Sequence, residues 1–404
     1  MLTLDKLTNI SGKKILVRVD FNVPIKDQTI EDDNRIIQAL PTIKKLIKEE
    51  AKIILFSHLG KIDFKKDLNT INEQKKKNNM FIVFEYLKSL LKNVVFFADQ
   101  ACGVEIKNKI NELKNGEILL LQNTRYELGE TKNDYELSNF WASLADIYVM
   151  DAFGSAHRKH ASTYGVAEIM KKSGKILAIG YLVEKEINNL NRCISINNSN
   201  RPYIAILGGL KVSDKIKVID FFIDKCDKVI IGGAMAFTFQ NVLNNKINYL
   251  VEGDQIEYAK KCLKKAGDKI VLPVDIVVTD KFDNWTDKKN VSVDAMPEGY
   301  FGMDIGIKTQ ELFAKEIAKA KTIFWNGPMG VFEKEGCQDG TIAICKAISN
   351  LNNDVFSVCG GGDSAAAVKK FGYKNIFSFI STGGGASLEM IENNGHLPCI
   401  DNLD

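Results

Sequence analysis

The chain alternates short runs of β-branched and aromatic residues with longer amphipathic stretches. In the first half the apolar runs are KILVRVD at 14–20, KIILFSH at 52–58, VVFFAD at 94–99, EILLLQN at 117–123 and DIYVMDAF at 146–153. After a break they resume with YIAILGG at 203–209, KVIIGG at 228–233, KIVLPVDIVV at 269–278, TIFWNG at 322–327, DVFSVCGG at 354–361 and FSFIST at 377–382. Strand followed by helix, repeated, predicts parallel sheets. The runs are apolar nearly throughout, which fits strands covered by helices on both faces. The expected fold class is therefore α/β: two doubly wound, Rossmann-like parallel-sheet domains joined by a helical hinge. The segment LVEKEINNLNRCISINNSNRP reads as a helix running into an Asn/Ser/Pro-rich linker. This places the first domain at 1–175, the connecting helix and hinge at 176–202, and the second domain from 203 onward. Residues 61–79, rich in Lys and Asn, read as a solvated loop.

Length agrees with two domains, since 404 residues exceed what one core usually organises. The 54 basic and 51 acidic residues nearly balance, so neither nucleic acid nor an anionic membrane is an expected partner. The first residues lack a basic flank followed by an apolar core, and no run of roughly 18 apolar residues occurs, so a cytoplasmic protein is expected. Eight cysteines stand singly without a C-x-x-C pair and read as reduced thiols. Four histidines are too few and too clustered for a histidine-built metal centre. Any metal must rely on oxygen ligands.

Only six of the basic residues are arginine: Arg18, Arg35, Arg125, Arg158, Arg192 and Arg201. Arg18 lies in a strand run, Arg35 in EDDNRI, and Arg125 and Arg158 just past strand runs. Loops that follow parallel strands emerge on one edge of a sheet, so Arg125, Arg158 and His58 can converge there. The guanidinium fork grips phosphate or carboxylate oxygens bidentately, so the set reads as a pocket for several anionic groups. The second half carries glycine-rich turns instead: LGGLKVSDK at 207–215, IGGAMAF at 231–237, WNGPMGVFE at 325–333, CGGGDSAAA at 359–367 and STGGGASLE at 381–389. Glycine turns let backbone N–H groups approach an oxyanion, and a following helix adds its positive end. Gly360, Gly362 and Ala365 match G-x-G-x-x-A, yet no acidic residue follows about 20 positions on to hold a ribose. No Gly-Lys pair is followed by Ser or Thr, so a Walker A loop is absent. Lys211 is placed to neutralise a phosphoryl group, and Asp363 is a hard ligand suited to Mg²⁺ on a nucleotide. An anion pocket in one half and a phosphate pocket in the other is the layout of a two-domain kinase that closes on its substrates.

The motifs VRVDFNVP, SHLGK, DAFGSAHRKH, LGGLKVSDK, WNGPMGVFE, GGGDS and STGGGASLE resemble those of the phosphoglycerate kinase family, in its order and over nearly the whole chain. The resemblance implies reversible, Mg²⁺-dependent phosphoryl transfer between 1,3-bisphosphoglycerate and ADP, by domain closure and in-line transfer without a covalent intermediate. It implies a monomer acting on small molecules. It also implies that Asp20, Phe21 and Asn22 meet the glycerate end, while Arg35, His58, Leu59, Gly60, Lys61, Arg125, Arg158 and His160 surround carboxylate and phosphate. Catalytic groups would be Arg35, Lys211, Lys215 and the backbone at Gly361 and Gly384. The nucleotide would meet Lys211, Gly232, Gly233, Gly302, Asn326, Pro328, Glu333, Gly361, Gly362, Asp363 and Ser364, with Asp363 on Mg²⁺. Residues 203–391 would form the nucleotide domain and 392–404 a tail packed on the N-terminal domain. Departures from the family pattern are Lys61 for arginine, Leu210 for alanine, Ala234 for glycine, Ser155 for threonine and Ile307 for proline. Two rivals are a kinase of the same fold for another acyl phosphate, and a nucleotide-binding scaffold without turnover.

Overall fold

The computed structural model describes residues 1–243, 247 and 249–404. The chain divides into two compact units, Met1–Asn188 with His396–Asp404, and Asn189–Gly395. In the first unit, β1 (Lys14–Val19) is followed by a short hairpin, β2 (Ile25–Lys26) and β3 (Thr29–Ile30). Then come β4 (Lys52–Phe56), β5 (Val95–Phe97), β6 (Ile118–Leu120), β7 (Ile147–Asp151) and β8 (Ile176–Ile179). Six of these form a parallel sheet in the order β5-β6-β4-β1-β7-β8. Both faces are buried, as the unbroken apolar runs require. Ile15, Val17, Ile53, Leu55, Ile118 and Val149 pack in one core layer. On the other side Phe56 meets Trp141 and Tyr148 edge-on, at centroid distances of 5.5 and 6.5 Å.

The second unit contains β9 (Tyr203–Leu207), β10 (Lys228–Ile231), β11 (Ile270–Val271), β12 (Asp275–Thr279), β13 (Lys288–Ser292), β14 (Phe301–Ile305), β15 (Thr322–Asn326), β16 (Phe356–Gly360) and β17 (Phe379–Ile380). Its main sheet runs β11-β10-β9-β15-β16-β17, again parallel. Ile204, Ile206, Ile230, Ile323 and Trp325 fill its core with Phe313, Ile344 and Val368.

Connections diverge at one point in each sheet. Chain leaving β1 moves toward β4 whereas chain leaving β7 moves toward β8; β9 and β15 diverge in the same way. Crevices open beyond the carboxyl ends of strands at such points, so each unit offers one place for a ligand.

Four sequence expectations are corrected. Residues 176–179, expected in the connecting segment, are β8 at the edge of the first sheet. Residues 61–79 are not all loop, because Leu68–Lys77 is helical; Asp67 caps it by accepting from Thr70 N at 3.0 Å. The run 269–278 is two strands, β11 and β12, with Pro273 between them. Finally, β12 belongs to a separate antiparallel sheet, β13-β12-β14, that the sequence did not suggest.

Residues from His396 return to the first unit. Cys399 N donates to Ala156 O at 3.1 Å and Asn402 Nδ2 to Tyr164 O at 3.1 Å. The Met1 ammonium lies 2.6 Å from Asp404 Oδ1.

Candidate functional site

In the first unit, loops leaving β1, β4, β6 and β7 bring the arginines and histidines to one edge. Asp20, just past β1, accepts from Asn22 N at 3.2 Å and from Arg35 Nη1 at 2.7 Å. Asn22 Oδ1 in turn accepts from Gly60 N at 2.8 Å, tying the β1 loop to the β4 loop. Arg125 donates from Nη1 to Gly60 O, while its Nε is buried without a hydrogen-bond partner. Arg158 Nε donates to His157 Nε2 at 3.0 Å.

Electrostatics show how close these groups lie. The buried His58 ring is held well below its ordinary pKa by loss of water, then by Arg18, Arg125, Arg35 and His160. Burial, followed by Arg18, Arg125 and Arg158, pushes His160 down to about 4. Arg125 itself is lowered, by burial and then by Arg18 and Arg158. His58 and His160 are therefore held toward their neutral form, and the positive potential belongs to guanidinium groups that repel one another. An arriving phosphate or carboxylate relieves that repulsion and supplies acceptors to unpaired donors.

Several expected residues act differently from the rest. The Phe21 and Leu59 side chains are in the hydrophobic core, so only their backbones reach the edge. Phe21 N donates to Ser57 Oγ at 2.8 Å, and Leu59 is clasped by Asn123, through Oδ1 at 3.1 Å and Nδ2 at 2.7 Å. Lys61 is exposed beside Gly60. Arg18, one of the arginines of the expected anion pocket, is fully buried and turns to Ser162 and His58; Asn123 belongs to none of the family motifs above. A polar residue directly before TRY at a strand end was the available signal for Asn123.

In the second unit, a cavity of about 310 Å³ opens between the ends of β9 and β15. It is lined by Lys211, Lys215, Asn326, Pro328, Asp363 and Ser364, and by the glycines at 361, 362 and 384. Two helices start here, Gly362–Lys370 after Gly361 and Gly385–Glu392 after Gly384. Their unpaired N–H groups and positive ends suit phosphate oxygens. Gly361 has φ +90°, and a Cβ there would strike Asn326 Nδ2. That amide is not a free ligand, because it donates to Gly360 O at 2.8 Å. Likewise Ser364 Oγ accepts from Gly327 N at 2.6 Å, locking the β15 turn to the helix start.

A second cavity of about 500 Å³, more apolar, adjoins the first through Gly209, Leu210, Pro328 and Asp363. Gly233, Ala234, Phe237, Gly302 and Met329 line it, with Glu333 at its rim. Gly232 does not line it: this residue packs against Met329, and a Cβ would strike the sulfur. A flat base beside a phosphate-binding turn matches the pair of cavities.

Comparison with known proteins identifies the family. A family model for phosphoglycerate kinase matches residues 4–394. The chain is 49% identical over 389 residues to phosphoglycerate kinase of Fusobacterium nucleatum, covering 95% of each. It is 50% identical over 402 residues to that of Limosilactobacillus reuteri, covering 97% of this chain and 96% of the relative. The solved structure of phosphoglycerate kinase from Coxiella burnetii superposes with a TM-score of 0.85 at 35% identity, covering 100% of this chain and 98% of that one. The chain belongs to the phosphoglycerate kinase family, enzymes of glycolysis that move a phosphoryl group reversibly between 1,3-bisphosphoglycerate and ADP.

Proposed function

We propose that the basic edge of the first unit takes 3-phosphoglycerate or 1,3-bisphosphoglycerate, and that the glycine-lined cavity of the second takes ATP or ADP with Mg²⁺. The observation that carries the assignment is the cluster of mutually repelling arginines with an unpaired buried Arg125 Nε, a set of donors and charge that an anionic phosphate or carboxylate suits. Asp20, Asn22, Arg35, His58, Gly60, Lys61, Arg125, Arg158 and His160 form the acid side. Lys211, Lys215, Gly361, Gly362, Gly384 and Ser364 meet the phosphates, while Gly233, Gly302, Pro328 and Glu333 surround base and ribose.

Asp363 fits a Mg²⁺ ligand. It is an exposed carboxylate in the first turn of the helix whose start faces the phosphate cavity. No group of three or more metal-ligating side chains occurs among the described residues. Asp363 would hold Mg²⁺ through a carboxylate oxygen, a hard donor of the kind the ion prefers. There it would neutralise charge on the phosphates.

An acyl phosphate is already activated, so transfer needs neither a general base nor a covalent intermediate. Placing donor and acceptor in line and neutralising charge suffice, with Arg35 and Lys211 as the positive groups at the transferring phosphoryl. Acceptor and donor bind different units, so transfer calls for their closure. All eight cysteines are free thiols, which supports a reducing, cytoplasmic setting.

The test is ADP formation from ATP and Mg²⁺ with the acyl phosphate trapped, with and without 3-phosphoglycerate. Strict dependence on 3-phosphoglycerate, with kcat lowered about 10²-fold or more in Lys211→Ala and in Arg35→Ala, is the expected result. Wild-type kcat in either variant would remove that residue from the assignment.

A further inference from the structure

Beneath the basic edge, a buried line of hydrogen bonds runs away from His58. Arg18 Nη2 lies 3.2 Å from His58 Nδ1, and Arg18 Nε donates to Ser162 Oγ at 2.8 Å. Ser162 Oγ donates to Glu130 Oε1 at 2.6 Å, and Ser162 N donates to Glu130 Oε2 at 2.9 Å. Thr124 Oγ1 adds a third donor to Glu130 at 3.1 Å. Arg18, His58, Ser162 and Glu130 are 1, 6, 0 and 0% exposed, so water does not compete for these bonds.

The direction of each bond is determined by the chemistry of its ends. Arginine has only donors, so Nδ1 of His58 must carry a lone pair. The Ser162 hydroxyl has one proton, and it goes to the carboxylate, leaving its oxygen to accept from Arg18. Arg18 has no carboxylate of its own at ion-pair distance among the described contacts. Its charge is balanced across Ser162 by a Glu130 that three donors hold in place.

We propose that Glu130 is a positioning residue which, through Ser162 and Arg18, fixes His58 as a neutral imidazole with its proton on Nε2. His58 then presents an uncharged N–H donor rather than a cation. The ring is oriented from behind by a group that never meets substrate. This inference rests on the reading that His58 faces the phosphoglycerate.

The experiment is ¹⁵N NMR of the His58 ring in the full-length enzyme at pH 7, assigned by its loss in His58→Gln and repeated in Ser162→Ala and Glu130→Gln. The expected wild-type spectrum shows a protonated Nε2 and an unprotonated Nδ1. Both variants should show a mixture of tautomers. They should also raise KM for 3-phosphoglycerate about three- to tenfold, as loss of one oriented donor does, with KM for ATP unchanged. A wild-type ring protonated on Nδ1, or charged, overturns the proposal without any variant. So does a variant ring that keeps the wild-type tautomer. A tautomer shift with KM for 3-phosphoglycerate unchanged supports the relay and instead removes His58 from the substrate site.

Discussion

Lys215 donates from Nζ to Gly208 O at 2.5 Å and to Asn326 O at 3.3 Å, so one ammonium fastens the ends of β9 and β15 where the connections of the sheet diverge. Burial lowers its pKa to about 8, against the pull of Asp363 and Asp214. The charge is therefore present at pH 7 and lost as pH rises through 8. Lys215→Met keeps the stem and removes the charge, leaving Gly208 O without its donor while Asn326 O keeps Gly208 N. ADP affinity, measured calorimetrically, should fall about tenfold at pH 7, as loss of a charge-assisted contact does. In the wild type ADP should bind more weakly above pH 8, and the variant should lack that step. Equal pH dependence in both proteins would assign the step to another group.

Gly361 holds a conformation that a side chain resists, and a Cβ would press on Asn326 Nδ2. Gly361→Ala should cost about 1–3 kcal/mol of stability and turn the helix start away from the phosphates. Denaturant midpoint and KM for ATP should worsen together, with KM for 3-phosphoglycerate unmoved. An unchanged KM for ATP would show that this turn does not shape the nucleotide site.

Lys61 is exposed next to Gly60, whose backbone is held by Asn22 and Arg125. A point charge here replaces the guanidinium usual in the family. Lys61→Arg should lower KM for 3-phosphoglycerate about threefold with kcat unchanged, since a fork holds phosphate more firmly than an ammonium. An unchanged KM would place the side chain away from the phosphate.

Acid stability should reflect two opposing sets of groups. Burial, then Arg158, lowers His157 to about 4, and His160 has a similar value. Both lie below the unfolded value of roughly 6.5, so their contribution is present above that pH and is lost as pH falls toward 4. Asp151 runs the other way. Burial raises it to about 7, against hydrogen bonds from Thr42, Val183 and Leu182. Its unfolded value is about 3.9, so acidification from 7 toward 4 favours the folded form. Asp151→Asn keeps an acceptor for Leu182 N and removes this compensation. Its urea midpoint should drop more steeply than that of the wild type between pH 7 and pH 5. Equal drops would mean that Asp151 is already ionised in the fold.

The parallel sheets were legible because buried strands leave unbroken apolar runs, and the half-sites because their residues sit directly beyond those runs. What escaped was held by few residues or by distant ones. Helix Leu68–Lys77 buries only Ile71 and depends on the Asp67 cap, so its composition resembles a loop. Pro273 should have divided the run 269–278, since proline within a central strand removes a ladder bond. The antiparallel sheet is fixed from afar: Asp275 on β12 accepts from Thr309 N at 2.7 Å and from Asn290 Nδ2 at 2.9 Å. Arg18, Ser162 and Glu130 are likewise far apart along the chain, and no local pattern marks them as one line of hydrogen bonds.

The first unit is completed by His396–Asp404, so the whole of Asn189–Gly395 is an insertion within it. Met1 and Asp404 are joined by an ion pair. A force pulling those two residues apart would load the first unit alone. The second unit would bear no tension until the returning segment, with its bonds to Ala156 and Tyr164, had been stripped away.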